Sequence, residues 1–174
     1  AVPHSPARHS RLDGGPYMVG SPPRLPLFGR AVVGRARDVW NRLGPTVPCR
    51  NVVMNDIAQL VEIVYSVEES LRIVNEMLEH GLTPEPRRKY DARPGRGAAV
   101  SEAPRGLLFH SYEIDAQGRI AAADVITPTA QNCAHVEEQF RAAVRRQPDA
   151  PDDELRHRLE IIARAYDPCV SCSV

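Results

Sequence analysis

Residues 52–80 read VVMNDIAQLVEIVYSVEESLRIVNEMLEH, and this stretch decides the fold class. Ile57, Val61, Val64, Val67, Leu71, Val74 and Leu78 recur at steps of 4, 3, 3, 4, 3 and 4. That spacing gathers them on one face of a helix. Glu68 and Arg72 stand one turn apart on another face, and Gly81 follows as a stop signal. Weaker helical patterns lie on either side. Val33, Ala36 and Trp40 predict a short helix over 31–43 that ends near Gly44-Pro45. Cys133, Val136, Phe140 and Ala143 share a face over 132–146. Leu155, Leu159, Ile162 and Tyr166 do so over 152–166, where Asp152 is a candidate cap. Between these helices, residues 106–115 and 119–127 flank Asp115-Ala116-Gln117-Gly118. Asp at the first and Gly at the last position suit a type I turn, so the pair reads as a β-hairpin. The expected fold is α+β and mainly helical, a helix bundle beside a small antiparallel β-hairpin or sheet.

Two stretches read as irregular. Residues 1–30 contain six prolines and four arginines. Proline donates to no ladder and clashes inside helices, so this segment is expected to be extended and to need a partner surface for order. Residues 82–98 are polar, basic and rich in breakers, which predicts a loop. The division that follows is a Pro-rich segment over 1–30 and one domain over 31–174.

Bulk composition removes several classes. The 22 basic and 22 acidic residues balance, so nothing points to nucleic acid or an anionic membrane surface. No apolar run approaches the roughly 20 residues a spanning helix needs. The opening Ala1-Val2-Pro3-His4 has neither an initiator Met nor a signal-peptide core, and is expected to be a fragment or a processed start. Four cysteines in 174 residues do not make a disulfide scaffold, so a reducing, cytoplasmic setting is expected.

Two of those cysteines, Cys169 and Cys172, stand at CxxC spacing in Asp167-Pro168-Cys169-Val170-Ser171-Cys172. Two thiolates three positions apart can close on one soft metal ion. The pair follows a predicted helix, whereas a thioredoxin-like redox pair starts one. A four-cysteine zinc site would have to recruit Cys49 and Cys133, neither of which sits in a second CxxC. Pro168 is expected to end the preceding helix and to push Asp167 toward an extended conformation.

Taken with other segments, this ending resembles the carboxyl-terminal motif of the nickel–iron hydrogenase large (alpha) subunit. Glu102-Ala103-Pro104-Arg105-Gly106, leading into Leu107-Leu108-Phe109-His110-Ser111-Tyr112, resembles that family's proline–arginine–glycine loop and the strand after it. Thr127-Pro128-Thr129-Ala130-Gln131-Asn132 is similar to its next segment, and Tyr17-Met18-Val19-Gly20 and Asn55-Asp56-Ile57-Ala58-Gln59 are similar upstream. The resemblance runs from about residue 15 to 174 in the family's order, with wording closest to the soluble, nicotinamide- or deazaflavin-linked branch.

The resemblance implies a nickel–iron centre with carbon monoxide and cyanide on iron. Cys169 would be a terminal nickel thiolate and Cys172 would bridge nickel and iron. Arg105 would sit over the metals, cationic at any working pH and unable to capture a metal itself. Asp167 would pair with Arg105, and Glu102 would join that charged network. Pro104 would pack on the diatomic ligands, and Thr129 would donate to a cyanide. A magnesium ion is implied near Val125. The implied partners are a small iron–sulfur subunit and, for the soluble branch, diaphorase-type subunits. His110 and His135 are tempting as ligands, but the family does not use them so. Cys49 and Cys133 read as structural.

The family's other half-site, Arg-x-Cys-Gly-x-Cys, does not occur in these residues. The chain is therefore expected to be about the last two-fifths of a large subunit, holding two of four metal thiolates. Two other readings compete. One is a small zinc-binding interaction module using Cys49, Cys133, Cys169 and Cys172. The other is a non-catalytic relative of the respiratory complex I subunit, against which the intact cysteine pair argues.

Overall fold

The computed structural model describes residues 2–44, 49, 51–88, 91 and 93–174. Five helices and one sheet follow in the order α1 (Ser21–Phe28), α2 (Gly34–Leu43), α3 (Met54–His80), β1 (Gly95–Ala103), β2 (Gly106–Ile114), β3 (Ile120–Ile126), α4 (Pro128–Arg146) and α5 (Asp152–Ala165). This is the mainly helical α+β arrangement that the periodicity predicts. The sheet is antiparallel in the order β1-β2-β3.

The long helix forms where the 3- and 4-step pattern puts it. It ends at Gly81, whose φ of 74° is one that L side chains rarely adopt and whose N–H reaches Met77 O at 2.9 Å. Its first half packs on α1 and α2 around Leu25, Ala36, Ala58 and Val61, with Trp40 and Val64 against them. Small side chains at these points let helix axes approach closely. A second contact joins α4 to α5 through buried Ala134, Ala165 and Tyr166. Glu68 does not pair with Arg72, which instead holds Glu69 at 2.6 Å and Glu76 at 2.5 Å. Glu68 accepts the N–H groups of Arg35 and Ala36 at 3.0 and 3.1 Å and so caps α2 from a neighbouring helix. Those two bonds hold its carboxyl below the usual range.

Several local expectations are corrected. Residues 21–28 are helical rather than extended, because Pro22 and Pro23 occupy the first turn, where a missing N–H costs nothing. Helix α4 begins four residues earlier than its apolar face suggested, at Pro128, with Thr127 Oγ1 accepting from Ala130 N. Asp152 lies in the first turn of α5, but its side chain makes no cap and Pro151 holds that position. The hairpin over Asp115–Gly118 forms as expected, with Gly118 N bonded to Asp115 O at 3.0 Å and Asp115 Oδ1 accepting from Gln117 and Arg119. Residues 95–98, expected in a loop, belong to strand β1. Its sequence, GRGAAVSEA, has no apolar alternation, so the pairing with β2 decides the strand, not its own propensity. Pro45, at the predicted end of α2, and residues 89, 90 and 92 of the predicted loop lie outside the described residues.

Candidate metal centre

Pairing of Ala103 with Gly106 leaves Pro104-Arg105 as the two-residue tip of the β1–β2 hairpin. Arg105 is thus presented at an apex. Behind it the chain is tightly fitted. Gly106 has a φ of 135°, and a Cβ there would overlap Val19 Cγ2 and stand 2.7 Å from Val19 Cβ.

The tip meets the end of α5. Arg105 Nε donates to Asp167 O at 2.5 Å and lies 2.9 Å from Asp167 Oδ2. Asp167 is not extended before Pro168; its φ is 45°. Its N–H bonds Arg164 O at 2.9 Å, and the guanidinium grips both its carbonyl and its carboxylate. Asp tolerates this left-handed conformation better than most residues, and the two anchors hold it there. Gln59 of α3 approaches the same carboxylate, Nε2 to Oδ2 3.4 Å.

The reversal at Asp167 leads into a 3₁₀ turn over Val170–Cys172, closed by Cys172 N to Cys169 O at 3.0 Å. The turn brings the sulfurs of Cys169 and Cys172 together, with Cα atoms 5.4 Å apart, and they are joined as a disulfide. Cys169 is half-buried and Cys172 exposed, so the pair lies at a surface rather than deep in a core. Reduced, the same turn presents two thiolates to one point. Ser171 Oγ lies 3.7 Å from Cys169 Sγ.

The first turn of α4 fastens these pieces. Cys169 N donates to Thr129 Oγ1 at 3.2 Å. Gln131, fully buried, donates from Nε2 to Leu107 O at 2.5 Å, holding the start of β2. Asn132 takes both polar groups of Val19: Val19 N donates to Oδ1 at 2.8 Å and Nδ2 donates to Val19 O at 3.3 Å. The Thr127–Asn132 segment therefore supports the hairpin tip, the Val19 segment and the cysteine turn at once.

Among the sequence-predicted residues, Arg105, Asp167, Thr129, Cys169 and Cys172 come together. Pro104 and Asp167 line one cleft beside α3. Glu102 does not join Arg105; its carboxylate pairs with Arg24 at 2.8 Å. Val125 stands on β3 opposite His110. His110 Nδ1 is 2.8 Å from Tyr112 Oη, and His135 Nδ1 is 2.5 Å from Tyr166 Oη. Burial pushes the His135 pKa down and that of Tyr166 up, so the phenol donates to a neutral imidazole. Cys133 lines a cavity of about 310 Å³ under the cysteine turn, and burial raises its thiol pKa. Cys49 lines a separate crevice with Trp40, Met54 and Ala58. Among the described residues no three His, Cys, Asp or Glu side chains are grouped to hold a metal, and Cys49 and Cys133 line different cavities. Sequence reasoning missed Arg24, Gln59, Gln131 and Ser171 as individual contributors. Gln59, Gln131 and Ser171 lay in segments already singled out, whereas Arg24 lay only in the Pro-rich stretch.

Two sulfurs on a short turn follow directly after Asp167, which the Arg105 guanidinium holds, on a largely helical scaffold. The pattern of the Nickel-dependent hydrogenase family matches residues 41–174, and the chain belongs to that family. The alpha subunit of sulfhydrogenase 1 from Pyrococcus furiosus is 35% identical over 99% of this chain and 40% of its own length. The beta subunit of the NAD-reducing hydrogenase HoxS from Cupriavidus necator is 32% identical over 67% of this chain and 24% of its own. An NAD+-reducing [NiFe]-hydrogenase solved in its H2-reduced state superposes on 92% of this chain with a TM-score of 0.77 and 27% identity, using 36% of that structure's chain. This chain thus spans about two-fifths or less of the relatives it matches. None of them favours the complex I reading. Among the described residues no helix is long and apolar enough to cross a membrane.

Proposed function

We propose that this chain is the carboxyl-terminal thiolate half of a nickel–iron hydrogenase catalytic subunit, whose reaction is the reversible heterolytic cleavage of dihydrogen to protons and electrons. One observation carries the reading. The Arg105–Asp167 ion pair and the Thr129–Cys169 hydrogen bond bring two distant segments, the hairpin tip and the start of α4, to the stretch Asp167–Cys172 that holds both sulfurs.

The donor set suits the metals. Two sulfurs converge, and the nearby carboxylate of Asp167 is already engaged by a cation, so no free hard anion competes. With both sulfurs reduced, Cys169 and Cys172 would hold the nickel–iron centre through their thiolates. The bound centre, with carbon monoxide and cyanide on iron, would polarise dihydrogen and take its electrons. Cys169 Sγ would then accept the proton, with Ser171 Oγ as its hydrogen-bond neighbour. Arg105, aimed by Asp167, would place permanent positive charge over the reacting atoms without losing a proton or ligating a metal. Thr129 Oγ1 accepts from Cys169 N, which leaves its own hydroxyl proton to donate to a cyanide. Pro104, at the hairpin tip, would exclude water. A magnesium ion near Val125 would complete the surroundings. The remaining thiolates would come from the other part of the subunit. Electrons would leave through a small iron–sulfur subunit and diaphorase-type subunits, in the cytoplasm.

Anaerobic titration of the reduced chain with nickel tests the site directly. The expected result is one nickel per chain with thiolate-to-nickel absorption, lost in Cys169→Ser and in Cys172→Ser. Nickel uptake indifferent to both substitutions would sink the assignment. Tight, stoichiometric nickel together with iron in this chain alone would refute the half-site.

A further inference from the structure

The Arg24 guanidinium has five N–H donors, and all five are used at a place the metal chemistry does not touch. Nε and Nη2 hold the Glu62 carboxylate at 2.8 and 2.6 Å, a paired grip on α3. Nη1 holds Glu102 Oε2 and Ala103 O, both at 2.8 Å. The second Nη2 hydrogen reaches Pro104 O at 2.7 Å. Two of the five acceptors are therefore the backbone carbonyls immediately before Arg105. The side chain is only 19% exposed, and Glu62 pushes its pKa above the ordinary arginine value.

A two-residue hairpin tip has little to fix its tilt, because the ladder ends at Ala103 and Gly106. From the other side Gly20 approaches the tip so closely that a Cβ there would lie 3.2 Å from Arg105 O. Ser21, the next residue, opens α1, and Arg24 sits one turn along it. Helix α1 thus presses on Arg105 through Gly20 and pulls on its neighbours through Arg24. Glu62 in turn receives the Ser21 hydroxyl at 2.5 Å, which locks the carboxylate that aims Arg24.

We propose that Arg24 is a positioning residue: by fixing the carbonyls of Ala103 and Pro104 against Glu62 of α3, it sets the direction in which Arg105 reaches Asp167. Its functional meaning rests on the role given to Arg105 above, but its geometry does not. A lysine at this position has three donors on one nitrogen and cannot span two carboxylates and two carbonyls.

The test reads Arg105 itself in the full-length chain labelled with 15N-arginine. Its Nε–Hε signal is assigned by its loss in Arg105→Lys. Arg24→Gln is expected to speed solvent exchange of that proton about tenfold in a chain that circular dichroism shows to be folded, and Arg24→Lys to restore little of the protection. Unchanged exchange in folded Arg24→Gln would overturn the proposal. Should Arg24→Gln fail to fold, Glu102→Ala removes one acceptor that is 54% exposed and is expected to raise exchange about twofold, with no change again overturning it. Turnover of dihydrogen by the assembled enzyme separates the two ideas. If exchange follows Arg24 yet Arg105→Gln turns over normally, the hydrogenase role of Arg105 fails and the clasp stands. If Arg105→Gln is inactive yet exchange ignores Arg24, the clasp fails alone.

Discussion

The first turn of α4 and the outer half of α3 are built on opposite terms. In α4, Thr129, Gln131 and Asn132 are polar and at least nine-tenths buried, and each bonds the backbone of another segment. In α3, Val67, Leu71, Val74 and Leu78 lie on the predicted apolar stripe, yet they are 55%, 60%, 50% and 80% exposed. Only the first half of that stripe meets α1 and α2. Apolar burial therefore holds the scaffold at one end, while directed hydrogen bonds hold the site. The difference is physical. Burial is non-directional and tolerates slippage, whereas a buried amide bonded to a chosen carbonyl fixes position and is costly to displace.

That contrast can be broken at several points. The largest effect is expected where the backbone is tightest. Gly106→Ala puts a Cβ into Val19 at a φ that L residues rarely adopt, and should cost about 3–4 kcal/mol, read as a lowered urea midpoint. Asn132→Ala follows, because it leaves the N–H and C=O of Val19 buried without partners. A loss of about 2–3 kcal/mol is expected by the same measurement, and a loss below 1 kcal/mol would show that burial rather than bonding holds this turn.

Acidification should have a smaller effect. The His135 pKa is depressed by burial, so the folded chain prefers the neutral ring, and protonation also removes the acceptor for the Tyr166 hydroxyl. The unfolded chain binds that proton more readily. Stability is therefore full above the ordinary histidine value of 6.5 and declines as the pH falls below it. Thermal melts at pH 7 and pH 5 check this, and His135→Phe should flatten the difference. The smallest effect is expected on the exposed stripe. Leu71→Ala should change the stability of this chain by less than about 0.5 kcal/mol, and a much larger loss would mean that the outer half of α3 is packed after all.

The sequence made much of this legible. The 3- and 4-step stripe predicted α3 to within two residues of its start, because a long repeat averages out local noise. The Asp115–Gly118 turn was readable because Asp and Gly each serve a backbone need. Strand β1 was not, since glycines and alanines carry no alternation and only the partner strand specifies it. Helix α1 was hidden by its prolines: Pro22 and Pro23 are tolerated only because the helix starts at Ser21, and Pro26 lies inside it. Glu102 was misassigned and Arg24 overlooked for one reason: which carboxylate meets which guanidinium depends on three elements packing together.

By itself the sequence determined the helical class and the hairpin with its Asp–Gly turn, because periodicity and turn preference are properties of residues and their spacing. Tertiary structure alone decided that Arg105 rides a hairpin tip, that Asp167 turns left-handed to receive it, and that the first turn of α4 holds Cys169 through Thr129. Those contacts join residues 62 and 40 positions apart. No local pattern encodes them, because a hydrogen bond is directed toward a partner that the fold must first deliver.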